Sequence, residues 1–330
     1  MARHLEFLDE ELKVVKEQSK TIPGSELVAC HRIMVRLKIV KNQHKDITAM
    51  IQFPDDYPNV PLLVELKSNT FGYKLLEGLT KMCEEEAKKL LKKQQIMVVL
   101  KMIFQFIEDN PLCVCSDEIS YIKRELMKDS DKIKLLQKQA QILLKVAEGS
   151  YYFTLKCDVP DVYFTSQLQV SISEHNFPEV LSSHFLGQSV EISRRAVKPP
   201  LKKGKKDPPF EPKPSLKDIA IFLFKHVKRY PHEICPYCKE LLLPEDPKTL
   251  ATDPADPKFI ERVYCTHLYH HGCLDVYFKT PPFTGGKKCM ECGQRIYHNK
   301  WKITPELAEA RWAHKEARQR ELDEVVDFLQ

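Results

Sequence analysis

Six of the eleven cysteines in this 330-residue chain fall between positions 235 and 292, and their spacing is metal-ligand spacing. The segment reads Cys235-Pro-Tyr-Cys238, then 26 residues, then Cys265-Thr-His267-Leu-Tyr-His270-His271-Gly-Cys273, then fifteen residues, then Cys289-Met-Glu-Cys292. Zn²⁺ takes four nitrogen or sulfur ligands tetrahedrally, and Cys-x-x-Cys lets one tight turn present two sulfurs to one ion. Cys235, Cys238, Cys265, His267, His270, Cys273, Cys289 and Cys292 supply six thiolates and two imidazoles, enough for two ions. His271 competes with His270 on paper. A redox Cys-x-x-Cys would need no further ligand pairs. Catalytic zinc would keep an open coordination position and want a nearby general base, so structural zinc is the expectation.

The other five cysteines (Cys30, Cys83, Cys113, Cys115 and Cys157) are scattered. An odd total, behind an N-terminus lacking a signal-peptide apolar run, speaks against a disulfide framework. A hydrophobic fraction of 43% is large enough for packed cores and excludes wholesale disorder. The net charge, 51 − 46 = +5, is too mild for a dedicated nucleic-acid binder, so nucleic acid is not an expected partner. No stretch approaches the ~18 uninterrupted apolar residues of a membrane span. Even 96–107 carries Lys101 and Gln105. The expectation is a soluble intracellular protein, cytoplasmic and/or nuclear.

The elements that must position these residues follow from periodicity. Residues 5–16 read as a helix with Leu5, Leu8, Leu12 and Val15 on one face. Three strands follow: Ile33, Val35, Leu37 and Ile39; then Ile47, Ala49, Ile51 and Phe53; then, past a proline-rich corner, Leu62, Val64 and Leu66. Leu75, Leu79, Met82, Cys83, Ala87, Leu90 and Leu91 then keep a helical period, and 96–108 is a helix apolar almost all round. This is an α+β layer of about 110 residues.

That element order, with Tyr57-Pro58-x-x-Pro61 after the third strand, resembles an RWD domain, a non-catalytic relative of the ubiquitin-conjugating (E2) fold, over residues 1–112. An active E2 is excluded because the chain has no His-Pro-Asn segment, and Cys83 sits on the buried stripe of a helix. An offset of 106 superposes Val159-Pro-Asp-Val-Tyr163 on Phe53-Pro-Asp-Asp-Tyr57. It also places Leu168, Val170 and Ile172 on Leu62, Val64 and Leu66, Phe177 on Phe71, and Phe153, Leu155 and Cys157 on Ile47, Ala49 and Ile51. Residues 113–196 are therefore expected to be a helical lead-in (118–147) and a divergent or truncated second RWD-like unit, the rival reading being an unrelated α+β segment.

Residues 197–215 are rich in Lys and Pro and read as a semi-extended linker. Its Lys202-Lys203-Gly-Lys205-Lys206 run is taken as solvated, with a nuclear address or phosphate contact as the alternative. A short helix (216–227) then leads into the zinc segment, 216–300. A Thr304-Pro305 helix start opens a charged C-terminal helix, 301–330, with a thin apolar seam of Leu307, Ala310, Ala317, Leu322, Val325 and Leu329, expected to pack within the chain.

The order Cys-Cys-Cys-His-His-Cys-Cys-Cys resembles a RING finger of the H2 type. The resemblance implies a cross-brace: Cys235, Cys238, His270 and Cys273 on one zinc, and Cys265, His267, Cys289 and Cys292 on the other. RING spacing selects His270 over His271. It further implies an E3 ubiquitin ligase without covalent intermediate, docking a ubiquitin-charged E2 on Tyr237, Tyr277, Pro281, Pro282 and Arg295, with substrate or partners recruited by the RWD units. Three departures bear on activity: Met290 where a proline is usual, Tyr277 where tryptophan is common, and Arg295 two positions late after Cys292. The alternative is a non-catalytic interaction scaffold stapled by zinc.

Overall fold

The computed structural model describes residues 2–42, 44–199, 209–297, 301 and 304–329, and side chains other than those of 2–5, 305, 321 and 323–329. The Lys202–Lys206 run lies outside the described residues. The chain forms two compact units. One comprises 1–145, 155–173 and 188–222; the other comprises 146–154, 174–187 and 223–330.

In the first unit, α1 (Ala2–Gln18) leads into β1 (Ser25–Cys30), β2 (Met34–Asn42), β3 (Lys45–Gln52) and β4 (Leu63–Lys67), an antiparallel sheet in sequence order. The period-2 alternation fixes its buried face: Val35, Leu37 and Ile39 pair with Ile51, Ala49 and Ile47, and all six are buried. Against that sheet pack α2 (Tyr73–Lys89), burying Leu76, Leu79, Cys83 and Ala87, and α3 (Ile96–Asp109), burying Ile96, Val99, Leu100, Ile103 and Ile107. Each such aliphatic side chain contributes about 1.5–3 kcal/mol as an upper bound. The first strand is absent from the sequence expectation because its residues carry no clean alternation. It is an edge strand with a register shift between Leu27 and Ala29 and no fully buried side chain.

One buried hydrogen-bond group closes this layer. The Tyr57 hydroxyl donates to Glu11 Oε2 (2.5 Å), while Glu11 Oε1 accepts from the N–H groups of Gln95 (2.6 Å) and Ile96 (2.8 Å). Those amides are orphan donors at the start of α3, and a carboxylate there satisfies them and suits the helix dipole. Burial still raises the Glu11 pKa, although these hydrogen bonds oppose the rise.

The middle of the chain repeats the plan. After α4 (Ser116–Tyr121), extended by a π turn over Ile122–Leu126, come β5 (Lys132–Leu136), β6 (Gln141–Glu148), β7 (Tyr151–Asp158) and β8 (Gln169–His175). They form a second four-stranded sheet in sequence order. The expected helical lead-in to residue 147 is thus overturned after residue 126. Ile142, Leu144 and Val146 alternate, all fully buried, and period 2 makes this a strand. α5 (Glu179–Val197) and α6 (Leu216–Arg229) follow.

At the start of α6 the tyrosine arrangement recurs. The Tyr163 hydroxyl accepts from the N–H groups of Ser215 (2.9 Å) and Leu216 (2.7 Å), and Glu118 Oε1 accepts from Lys217 N–H (2.9 Å). Tyr163 and Ser215 are buried. The sequence-based boundary gave residue 216 onward to the zinc segment, yet the first turn of α6 is held by residues of the repeat.

In the second unit, β9 (Ile260–Arg262) and β10 (Leu268–His270) form a hairpin, followed by α7 (His271–Lys279) and α8 (Pro305–Leu329). Thr304 caps α8: its Oγ1 accepts from Leu307 N–H (3.4 Å). The expected apolar seam does not pack. Leu307, Ala310, Ala317 and Leu322 are exposed, and the side chains of Val325 and Leu329 lie outside those described. Ala308, Trp312 and Glu316, four residues apart on another face, are the half-buried positions among the described side chains of this helix.

Tyr163→Phe removes the acceptor of two buried amides and should cost at least about 1–3 kcal/mol in urea unfolding. Exchange of the Ser215 and Leu216 amides should accelerate with it. Tyr57→Phe should cost less, because Glu11 continues to satisfy both amides of α3. The reverse ranking would contradict this reading.

Candidate metal centre

The two Cys-x-x-Cys turns are built alike. Cys235 N–H donates to Glu240 O (2.8 Å) and Lys239 N–H to Cys235 O (2.9 Å). Cys289 N–H donates to Gln294 O (2.7 Å) and Gly293 N–H to Cys289 O (2.8 Å). The fifth position of each turn is left-handed, Lys239 at φ +63° and Gly293 at φ +70°. Glycine adopts this without strain, and Lys239 does so at some cost. Single β-bridges, Ile234 to Leu241 and Lys288 to Arg295, close the two loops.

The remaining ligands come from the hairpin. Its turn carries Cys265 and His267 and is tightened by bonds from Val263 N–H to His267 O (3.0 Å) and Thr266 N–H to Val263 O (2.8 Å). His270 ends β10, and Cys273 lies in the first turn of α7. Side-chain atoms of Cys235, Cys238, His270 and Cys273 gather within 4.8 Å of one another, and so do those of Cys265, His267, Cys289 and Cys292. His270 Nδ1 is 3.3 Å from Cys238 Sγ and 3.9 Å from Cys273 Sγ, and His267 Nδ1 is 3.4 Å from Cys265 Sγ. His271 belongs to neither group; its Nδ1 is 3.1 Å from Glu261 Oε1. The eight residues thus come together in two quartets, each able to hold a metal ion.

The acid–base state of the thiols fits a cation. Burial, reinforced by neighbouring thiols, pushes Cys265 and Cys273 up to about 12. Burial also opposes ionisation of Cys235, but hydrogen bonds from His270 and nearby backbone N–H groups outweigh it and bring the thiol down to about 6. Cys289 is likewise lowered against burial, chiefly by the Tyr269 hydroxyl. Each quartet thus holds one thiol pushed up and one brought down, and a divalent cation between them would favour the thiolate form of both.

Tyr269 escaped the sequence reading. It is buried, its hydroxyl lies 3.1 Å from Cys289 Sγ, and it accepts from Met290 N–H (3.0 Å). Such a partner behind a ligand fixes its orientation. The only signal in the sequence was a bulky aromatic between His267 and His270.

Of the residues expected to meet an E2, Tyr237 and Tyr277 lie together with ring centroids 6.2 Å apart, and Tyr277 donates to Lys288 O (2.9 Å). Pro281 and Pro282 are exposed between α7 and the second Cys-x-x-Cys turn. Arg295 is exposed with its guanidinium 5.2 Å over the Tyr297 ring.

Residues 7–110 match the model of the RWD domain family. This segment is an RWD domain, a fold that mediates protein–protein contacts, and the Cys/His quartets lie beyond it. The search of curated proteins returns no match. Among the described residues, no helix is long and apolar enough to cross a membrane.

Metal content read by inductively coupled plasma spectrometry separates the two neighbouring histidines. Loss of one metal equivalent is expected on His270→Ala and no loss on His271→Ala. Equal content in the two variants would refute the assignment of His270.

Proposed function

We propose that this chain is a RING-type E3 ubiquitin ligase built on two RWD-like units. The observation that carries it is the interleaving of the two quartets along the chain: Cys235 and Cys238 join His270 and Cys273, across Cys265 and His267, which join Cys289 and Cys292. This is the cross-brace of a RING, with Zn²⁺ as the metal because all-thiolate-and-imidazole quartets suit it and leave no open position. The metal's role is structural.

The second RWD-like unit runs from the 113–196 segment through α6. The repeated sheet order and the second Tyr–Glu arrangement at a helix start support it. The ligase function assigned to these parts involves no covalent intermediate. An E2 carrying ubiquitin sits on the surface around Tyr237 and Tyr277, with Pro281, Pro282 and Arg295 at its margin. The gain is orientation of the thioester toward a substrate lysine. The RWD units bring substrate or partner, in the cytoplasm and/or nucleus.

Two observations favour the scaffold alternative. Met290 is exposed at 44% where a proline is usual, and the Arg295 guanidinium rests on Tyr297. Autoubiquitination with a panel of E2 enzymes, on protein shown to carry two zinc ions, decides between the readings. Activity with at least one E2, cut about tenfold or more by Tyr277→Ala at unchanged zinc content, is the expected result, a loss of roughly 1.4 kcal/mol in productive docking. Two bound zinc ions with no activity toward any E2 would leave the scaffold.

A further inference from the structure

A cavity of about 700 Å³ lies among α7, the loop of residues 280–297 and α8; neither Tyr237 nor Tyr277 lines it, and Arg295 is the one proposed E2-contact residue at its border. Its size falls within the roughly 300–1,000 Å³ of ligand sites. One wall is the stacked pair Phe278 and Trp301, centroids 5.2 Å apart and 4° from parallel, with Trp301 Nε1 donating to Asp275 Oδ1 (3.2 Å). The facing wall is α8, which presents Trp312 between Arg311 and Lys315.

The charges of this cavity are unbalanced. Against Lys279, Lys287, Arg295, Arg311 and Lys315 the lining has two acids, Asp275 and the half-buried Glu316, and Asp275 is already engaged by Lys279 (2.6 Å) and by Trp301. Arg311 and Lys315 are exposed and, among the described residues, have no ion-pair partner. They stand four apart on one helix, where like charges repel by about 0.2–0.5 kcal/mol, so an anion between them relieves the repulsion. Trp312 is half-buried beside them and makes no ring contact among the described residues, which leaves its indole free to cover an apolar group.

We propose that this cavity binds an acidic linear peptide segment of a partner protein. A large apolar or aromatic side chain of the peptide inserts against Trp312 and the Phe278–Trp301 wall, and flanking carboxylates meet Arg311 and Lys315. A carboxylate–guanidinium pair at such a rim gives specificity, and a buried aromatic anchor gives the affinity. Single-stranded nucleic acid fits less well, since it needs open ring faces in succession. Here Phe278 and Trp301 cover each other, His271 lies 5.3 Å from Trp301, and Tyr297 is covered by Arg295.

The test is fluorescence anisotropy on the full zinc-loaded chain. The probe is a fluorescein-labelled acidic pentapeptide with a central tryptophan. Its alanine-centred and lysine-flanked versions and a labelled oligothymidine run in parallel. The acidic tryptophan peptide should bind at least about tenfold tighter than all three. The double substitution Arg311→Glu with Lys315→Glu, at exposed positions with little effect on folding, should weaken it about tenfold or more, and Trp312→Ala should do the same. Zinc content and E2-dependent activity of the double variant should stay at the parent level, which separates this site from the proposed ligase surface. Equal binding of the alanine-centred peptide, tighter binding of oligothymidine, or affinity indifferent to the double substitution would each overturn the proposal.

Discussion

Two four-ligand clusters meet at one short hairpin, and the arrangement of the Cys/His segment depends on that meeting. His267, in the turn just before β10, and His270, at its end, stand three residues apart, and each serves a different quartet. A shift in the register of this hairpin would disturb both closures together. The regular structure around them is slight: two three-residue strands and the nine-residue helix α7. Metal binding worth about 10–16 kcal/mol in small finger peptides is the scale of energy that such a loop-rich segment lacks from its own apolar packing. The Tyr237–Tyr277 pair follows from it, since one tyrosine lies inside the first Cys-x-x-Cys turn and the other on α7, whose first turn carries Cys273. The cavity beside α8 follows as well, because α7 and the residues on either side of the second Cys-x-x-Cys turn (Gly286, Lys287, Arg295 and Ile296) border it.

The quartets were legible because ligand chemistry is discrete. Cysteine spacing names the turns, and paired Cys-x-x-Cys segments put six thiols within fewer than sixty residues. The choice between His270 and His271 needed family spacing, and the structure shows its physical basis. His270 ends a strand facing the first Cys-x-x-Cys turn, whereas His271 opens a helix and meets Glu261. The sheets were legible where side chains alternate over a buried face, as at Val35, Leu37 and Ile39. They were illegible where an edge strand buries little, as in β1, or where a strand was overlooked among charged residues, as in β5 and β6. The face of α8 was misread for a related reason. A thin seam of Leu and Ala on a charged helix matches the period without the bulk to pack, and Trp312 on the neighbouring face carries more apolar surface than any residue in that seam.

The repeated tyrosine shows how a turn can be kept while its neighbours change. Pro58 and Pro61 of the first copy correspond to Phe164 and Gln167 in the second, so the proline corner is gone. Tyr57 and Tyr163 remain, both buried. Their hydroxyls serve the same need by different wiring. Tyr57 donates to a glutamate that holds the helix amides, whereas Tyr163 accepts from the amides itself while Glu118 takes the next one. A helix start buried against a sheet leaves orphan N–H groups, and either acceptor removes the penalty. What the two copies share is therefore a requirement at a helix terminus more than a string of residues, which is why sequence offset alone left the second copy looking truncated.

This wiring changes what the Lys/Pro segment does. A linker between an RWD-like unit and a zinc module would tether two independently moving bodies. Here the chain leaves α5, passes the Lys/Pro segment and returns to the repeat, where Ser215 and Leu216 are bound by Tyr163 and Lys213 N–H donates to Ala196 O (3.0 Å). α6 then continues directly into the first Cys-x-x-Cys turn through Tyr230–His232. Within the second unit, the turn between β6 and β7 holds the zinc segment as well. The Tyr151 hydroxyl donates to Pro244 O (2.7 Å), the Ser150 hydroxyl to Glu245 O, and His232 Nε2 lies 3.1 Å from Glu148 Oε1. Within the second unit the Cys/His segment is thus held to the β6–β7 turn by hydrogen bonds, while residues 213–216, on the far side of the Lys/Pro run, are bound by Ala196 and Tyr163 of the repeat.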